Sequence, residues 1–244
     1  MLDKELLENF QLRAARTVTG AKKGTRHALL HEETCWPTLS TRRQQSKLMF
    51  MHSIVHNYAP DYLVELLPNT VSQNVSYSLR NRDNICQYKT RTERFRRSII
   101  PDCIRLWNST SNNLRQITDR KLFKQHVENK CVPNPLYYIG DRMLNVIHSQ
   151  LRLKCSNLKA HLFSLHVISD PVCICNAGRE TCDHFFFHCS LFDAERCTLM
   201  EKVSRMCKPT TQVFLYGDYN ASFETNCKII LAVQNYIKET KRFN

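Results

Sequence analysis

The stretch CICNAGRETCDHFFFHC, residues 173–189, sets four cysteines and two histidines within seventeen residues. Thiolates and imidazoles are the preferred donors of a tetrahedral zinc site, which needs four of them. Cys173, Cys175, His184 and Cys189 supply four in the spacing C-x-C-x8-H-x4-C. The close sulfur pair can form one edge of the tetrahedron, and the eight-residue arm is long enough to fold back. His184 and Cys189 are five residues apart, about 1.4 turns if the segment is helical, so both can point inward. Phe185, Phe186 and Phe187 would pack beside them as a small core. Four protein ligands leave no place for an activated water, so such a zinc would be structural. Cys182 and His188 are spare donors, and chemistry alone allows either to replace a ligand. The C-x-C pair is also less usual than C-x2-C. Two other readings stay open on spacing. The thiols can be free and buried, since cysteine packs as a small hydrophobe. A Cys173–Cys175 disulfide would close a tight, strained ring.

The rest of the composition narrows the setting. A formal charge of +13 over 244 residues points to a polyanionic partner, RNA or DNA first. No run of about 18 apolar residues occurs, so no membrane span is expected. The N-terminal MLDKELLENFQLRAAR has no apolar core of a secretory signal, so the expected setting is intracellular, nucleus or cytoplasm. Disulfides are rare there, so most of the twelve cysteines should be free thiols. With five glycines, sandwich and linker architectures lose ground.

The elements that must hold the cluster read as helices, so a mainly α fold is expected. Leu2, Leu6, Phe10, Ala14 and Val18 recur at helical spacing before Gly20. Ser40 can cap a second helix carrying Leu48, Met51, Ile54 and Val55, and Pro60 opens a short segment. Residues 68–92 turn polar and aperiodic and read as an extended segment. A short helix starts near Pro101, and another pattern covers 119–130. From 141 to 165, Leu144, Ile147, Leu151, Cys155, Leu158, Leu162 and Leu165 step by three and four. Two more helices fall near 190–206 and 222–241. His148, His161 and His166 read as structural, and Trp36 and Trp107 as core aromatics.

Residues 80–97 collect Arg80, Arg82, Lys89, Arg91, Arg94, Arg96 and Arg97 against Asp83 and Glu93, with Tyr88 and Phe95 among them. Arginines neutralise phosphates and rings stack on unpaired bases, which suits RNA or single-stranded DNA. Lys154, Lys159 and Arg179 flank the Cys/His cluster and could add to such a surface. A solvated charged loop is the plainer reading of the same run.

Residues 150–189 resemble the C-terminal tail of non-LTR (LINE-type) retrotransposon reverse transcriptases. The matching residues are Pro171, Cys173, Cys175, Glu180, Thr181, His184, Phe185 and Cys189, with Cys182 and His188 at variable positions. Upstream, NFQLRAARTVTG (9–20) resembles the helix after the polymerase palm. Trp36, Pro37, Leu39, Ser40, Arg42 and Arg43 fit the segment that follows. YAPDYLVELLP (58–68) and TRTERFRRSIIPDCIRLWNS (90–109) resemble the next two elements in the same order. The resemblance ends near 205. It implies Cys173, Cys175, His184 and Cys189 as the zinc ligands. It also implies a thumb-like helical bundle over 1–67, a basic connection with short helices over 68–135, extended over 68–92, and a helical tail over 136–244 with a small CCHC zinc knuckle at 171–190 between its helices.

The chain departs from that family where the chemistry sits. A polymerase holds two metal ions on palm aspartates. Here the nearest string, LYGDYN (215–220), has a single Asp. No endonuclease constellation is visible either, so no catalytic residue is assigned. The implied protein is a nucleic-acid-binding piece of a parent polymerase. It reads as opening at an internal methionine, with template RNA, target DNA and the polymerase portion as partners. Other classes remain. A thiol hydrolase lacks a Gly-flanked cysteine. The 144–165 leucine stripe could seat a partner helix, making a protein-interaction module. A decayed remnant without function is the last.

Overall fold

The computed structural model describes residues 4–74, 81–128 and 131–243. It is helical, as expected. Among the described residues no strand forms, and two isolated β-bridges join Thr70 to Ile85 and Val172 to Arg179. No helix among them is long and apolar enough to cross a membrane.

The chain folds as two compact units, Met1–Trp36 with Val132–Asn244, and Pro37–Cys131. These differ from the three sequential regions expected, because the first unit draws on both ends of the chain. It holds helices Lys4–Thr19, His27–Thr34, Arg142–Arg152, Lys159–Ser164, Asp193–Ser204, Thr211–Tyr216 and Phe223–Glu239. Local chemistry starts several of them. Asp141 accepts hydrogen bonds from the Met143 and Leu144 amides, Thr210 from Val213, and Ser222 from Thr225. Each such cap satisfies amides the helix leaves unpaired and contributes about 1 kcal/mol. The main core of this unit joins Leu151, Leu158, Phe185, Phe186, Leu199, Phe214, Ile229 and Val233. A smaller one joins Leu12, Ala15, Leu30, Leu153 and Cys155.

Several expectations are corrected here. In helix Lys4–Thr19 the buried face is Leu12, Ala15 and Thr19, while Leu6, Phe10 and Val18 are exposed. The 141–165 pattern is two helices, not one. Lys154 adopts φ +55°, which reverses the chain after Arg152, and the next helix starts at Lys159. Its stripe still points inward, with Leu151, Cys155 and Leu158 fully buried. The Thr211–Tyr216 helix went unanticipated, being too short for a periodicity signal.

The second unit is built on helix Leu39–Val55, which packs on Ile99–Asn108 and Arg120–Val127. Its N-cap is Thr38, accepting from the Thr41 amide, rather than Ser40. Met51, Ile85, Cys103, Ile104, Trp107 and Phe123 form its core. The apolar face of the long helix is therefore covered, and the short helices of 68–131 belong to this unit. Its irregular stretch, 81–92, is anchored by buried Ile85, whose amide donates to Asn108 Oδ1 at 3.0 Å.

Ten cysteines are free thiols, in line with the expected majority. Cys35 and Cys131 are disulfide-bonded, which the composition did not anticipate.

Candidate metal centre

The segment from Pro171 to Cys189 folds as a tight reversal followed by a short wide-pitch helix. The Cys173 amide donates to the Gly178 carbonyl at 2.8 Å, and the Glu180 amide to Pro171 at 2.9 Å. The turn between them places Asn176 at φ +60° and Gly178 at φ +148°. The second value is a conformation open in practice to glycine alone. The reversal returns the chain after Cys173 and Cys175. Thr181 Oγ1 then accepts the His184 amide at 3.1 Å and opens the helical turn.

That turn, His184–His188, is a π-helix, closed by the Cys189 amide on the His184 carbonyl at 2.8 Å. The geometry refines the expectation. In an α-helix, residues five apart point about 140° away from each other. An i→i−5 closure puts residues five apart on nearly the same face. His184 and Cys189 thus share a side, while Phe185 and Phe186 are driven into the core with no exposure. Tyr236 donates its hydroxyl to the Phe185 carbonyl at 2.6 Å, so helix Phe223–Glu239 holds the turn from behind.

Cys173 Sγ, Cys175 Sγ, His184 Nε2 and Cys189 Sγ form the result. One donor atom from each residue lies within 4.8 Å of the others, an arrangement that could hold a metal ion. Cys173 and Cys189 sulfurs are 3.7 Å apart, and Cys175 Sγ is 3.2 Å from His184 Nε2. Three of the four residues are buried, and Cys175 is partly exposed at the rim. Burial pushes the Cys173 thiol up and Cys189 up to about 12. The Ala177 amide draws Cys175 down, and burial lowers His184, which favours a neutral imidazole.

The two spare donors point elsewhere. Cys182 faces His161 Nε2 at 3.7 Å and the Leu151 carbonyl at 3.9 Å, and burial holds its thiol near 12. His188 is exposed and pairs with Asp183 at 3.1 Å. His148 and His161 are buried structural residues, whereas His166 lies on the surface.

Support for the cluster comes from Glu180, which the motif marked, and from two arginines that sequence reasoning did not reach. Glu180 is buried. It accepts the Lys159 amide at 2.7 Å and the Arg242 guanidinium at 2.6 and 2.7 Å. Arg196 Nη2 donates to the Cys189 carbonyl at 2.7 Å. Arg242 lies 62 residues from its partner, a separation at which no local pattern signals a pair.

The basic residues divide. Lys154, Lys159 and Arg179 belong to the unit that carries the cluster. Arg179 lies over the Phe163 ring at 5.4 Å, and Lys159 Nζ is 4.0 Å from Asp170. The 82–97 set belongs to the other unit. Arg96 and Arg97 both bond Glu93, at 2.5 and 2.6 Å, and hold its carboxyl down at about 2. Arg82 is 3.6 Å from Asp83. Lys89, Arg91 and Arg94 are exposed and make no ion pair among the described residues. Tyr88 and Phe95 meet edge to face at 6.0 Å. Arg80 lies outside the described residues.

Searches against protein-family models, curated proteins and solved structures return no match to this chain.

Proposed function

We propose that this chain is a nucleic-acid-binding segment of a non-LTR retrotransposon reverse transcriptase, without a polymerase site of its own, in which Cys173, Cys175, His184 and Cys189 hold a structural zinc. One observation carries the reading. The four residues that the family motif marks converge within 4.8 Å, and the two spare donors beside them do not. The Cys173–Cys189 separation suits zinc. Thiolates at about 2.3 Å from a tetrahedral ion sit about 3.8 Å apart, against 3.7 Å between the Cys173 and Cys189 sulfurs. A divalent cation there would also favour ionised thiols despite their burial. All four positions are protein ligands, so the zinc organises the fold and does no chemistry.

Lys89, Arg91 and Arg94, with Lys154, Lys159 and Arg179 beside the cluster, would contact template RNA or target DNA in the nucleus or cytoplasm. The missing polymerase portion of the parent protein is a further partner. The protein-interaction alternative rested on the 144–165 stripe. Those side chains pack inward, so it draws no support from them.

Elemental analysis of the folded chain tests the reading. One zinc per chain is expected, lost in Cys173→Ser/His184→Ala together with protection of the tail against proteolysis. Absence of zinc, with Cys173, Cys175 and Cys189 all titrating as free thiols in the folded chain, would remove the knuckle.

A further inference from the structure

The second unit carries a groove that the linear sequence does not announce. Helix Leu39–Val55 and helix Arg120–Val127 are joined by Gln45 Nε2 donating to the Val127 carbonyl at 3.2 Å. His52 also stacks on Phe123, with ring centroids 4.2 Å apart. Beside this seam they leave an open groove of about 900 Å³, and Arg42, Arg120, Lys121 and Lys124 lie along it with Phe50 and Tyr58. Two carboxylates also line it, and both are engaged. Asp119 caps its helix by accepting the Leu122 amide at 2.6 Å, and Glu128 faces Lys124 at 3.8 Å. Arg42, Arg120 and Lys121 are exposed and have no ion pair among the described residues. Tyr58 lines the groove and is 54% exposed, its hydroxyl donating to the Thr118 carbonyl at 3.2 Å and one ring face turned to His52 at 6.0 Å.

We infer that this groove binds single-stranded nucleic acid, its phosphates on Arg42, Arg120 and Lys121 and an unpaired base against Tyr58. The inference deepens the nucleic-acid reading above and rests on it for the class of polymer. Three observations select the ligand. A line of unpaired cations in a concavity complements a chain of phosphates. The face of Tyr58 turned away from His52 can take a base only if that base is unstacked, which favours a single strand over a duplex. A concave channel suits a strand better than a flat lipid surface. The contrast with residues 82–97 sharpens the choice. There Glu93 and Asp83 already hold three of the arginines.

Fluorescence anisotropy with a labelled oligouridylate, on the full chain over a range of salt, decides it. The wild-type chain is compared with Arg42→Gln/Arg120→Gln/Lys121→Gln, with Arg91→Gln/Arg94→Gln, and with Tyr58→Ala. All four are checked for unchanged helicity. The groove triple variant is expected to reduce the slope of log affinity against log salt by about 2, from three lost phosphate contacts at about 0.7 each. Tyr58→Ala should weaken binding about tenfold. An unaltered slope in the triple variant, with binding lost in Arg91→Gln/Arg94→Gln, overturns the groove and leaves the nucleic-acid reading standing. No binding by the wild-type chain at low salt overturns both. Equal affinity for a duplex, insensitive to Tyr58→Ala, overturns the single-strand assignment.

Discussion

Arg242 grips Glu180 with both arms of its guanidinium, Nε on Oε1 at 2.6 Å and Nη2 on Oε2 at 2.7 Å. The same arginine donates to the Asn157 carbonyl at 3.0 Å. The last turn of the chain is thereby tied to the loop that carries the Cys/His cluster. Glu180 is buried, so the pair is worth more as a unit than either half alone. Arg242→Ala strands the carboxylate with the Lys159 amide and should cost about 2 kcal/mol, allowing for partial exposure of the arginine. Glu180→Gln/Arg242→Ala should recover part of that loss, because no charge is left uncompensated. Urea denaturation of the single and double variants measures it. An Arg242→Ala midpoint equal to that of the wild-type chain would show that the pairing contributes nothing.

A second buried ion pair makes a sharper case. Arg152 donates to Glu33 through Nε at 3.0 Å and Nη2 at 2.6 Å, and its guanidinium lies 3.8 Å from the Tyr137 ring centroid. Ser149 Oγ donates to the same carboxylate at 2.9 Å. The two side chains are 3% and 8% exposed. Arg152→Leu removes one charge and should destabilise by about 3–5 kcal/mol. Arg152→Lys should rescue little, since an ammonium can neither fork onto the carboxylate nor stack flat on the ring. Thermal melting compares them, and full rescue by lysine would refute the geometric argument.

Acid should loosen the cluster-bearing unit through two histidines. His148 Nε2 donates to the Phe214 carbonyl at 2.7 Å, and burial pushes its pKa down to about 3. Burial, helped by the Lys154 charge, takes His161 down to about 4. Both return to about 6.5 in the unfolded chain. Between those limits the unfolded state binds more protons than the folded one. Their contribution is complete above pH 6.5 and is lost as pH falls, by about 1.4 kcal/mol per pH unit for each histidine. His148→Gln should flatten the stability curve between pH 7 and 5 by roughly half of the histidine slope. Urea midpoints that stay level across that window in the wild-type chain would contradict the assignment.

How much of this was legible beforehand follows from the range of each interaction. Most of the longer helices and the four donors at 173–189 were readable, because a periodicity or a spacing acts over a few residues and is written in them, whereas the one cap assigned, Ser40, lay two residues past Thr38. The π-turn that aligns His184 with Cys189 was not. It is selected by burial of Phe185 and Phe186 against Phe214 and Tyr236. The buried stripe of Lys4–Thr19 was misread for the same reason, since two interleaved apolar stripes compete there and only the partner surface chooses. Joining residues 1–36 to 132–244, pairing Arg152 with Glu33, closing Arg242 on Glu180 and gathering Arg42, Arg120 and Lys121 around one groove were decided by tertiary structure alone. A charge or an apolar side chain specifies what it needs, and packing of distant segments decides which partner is within reach.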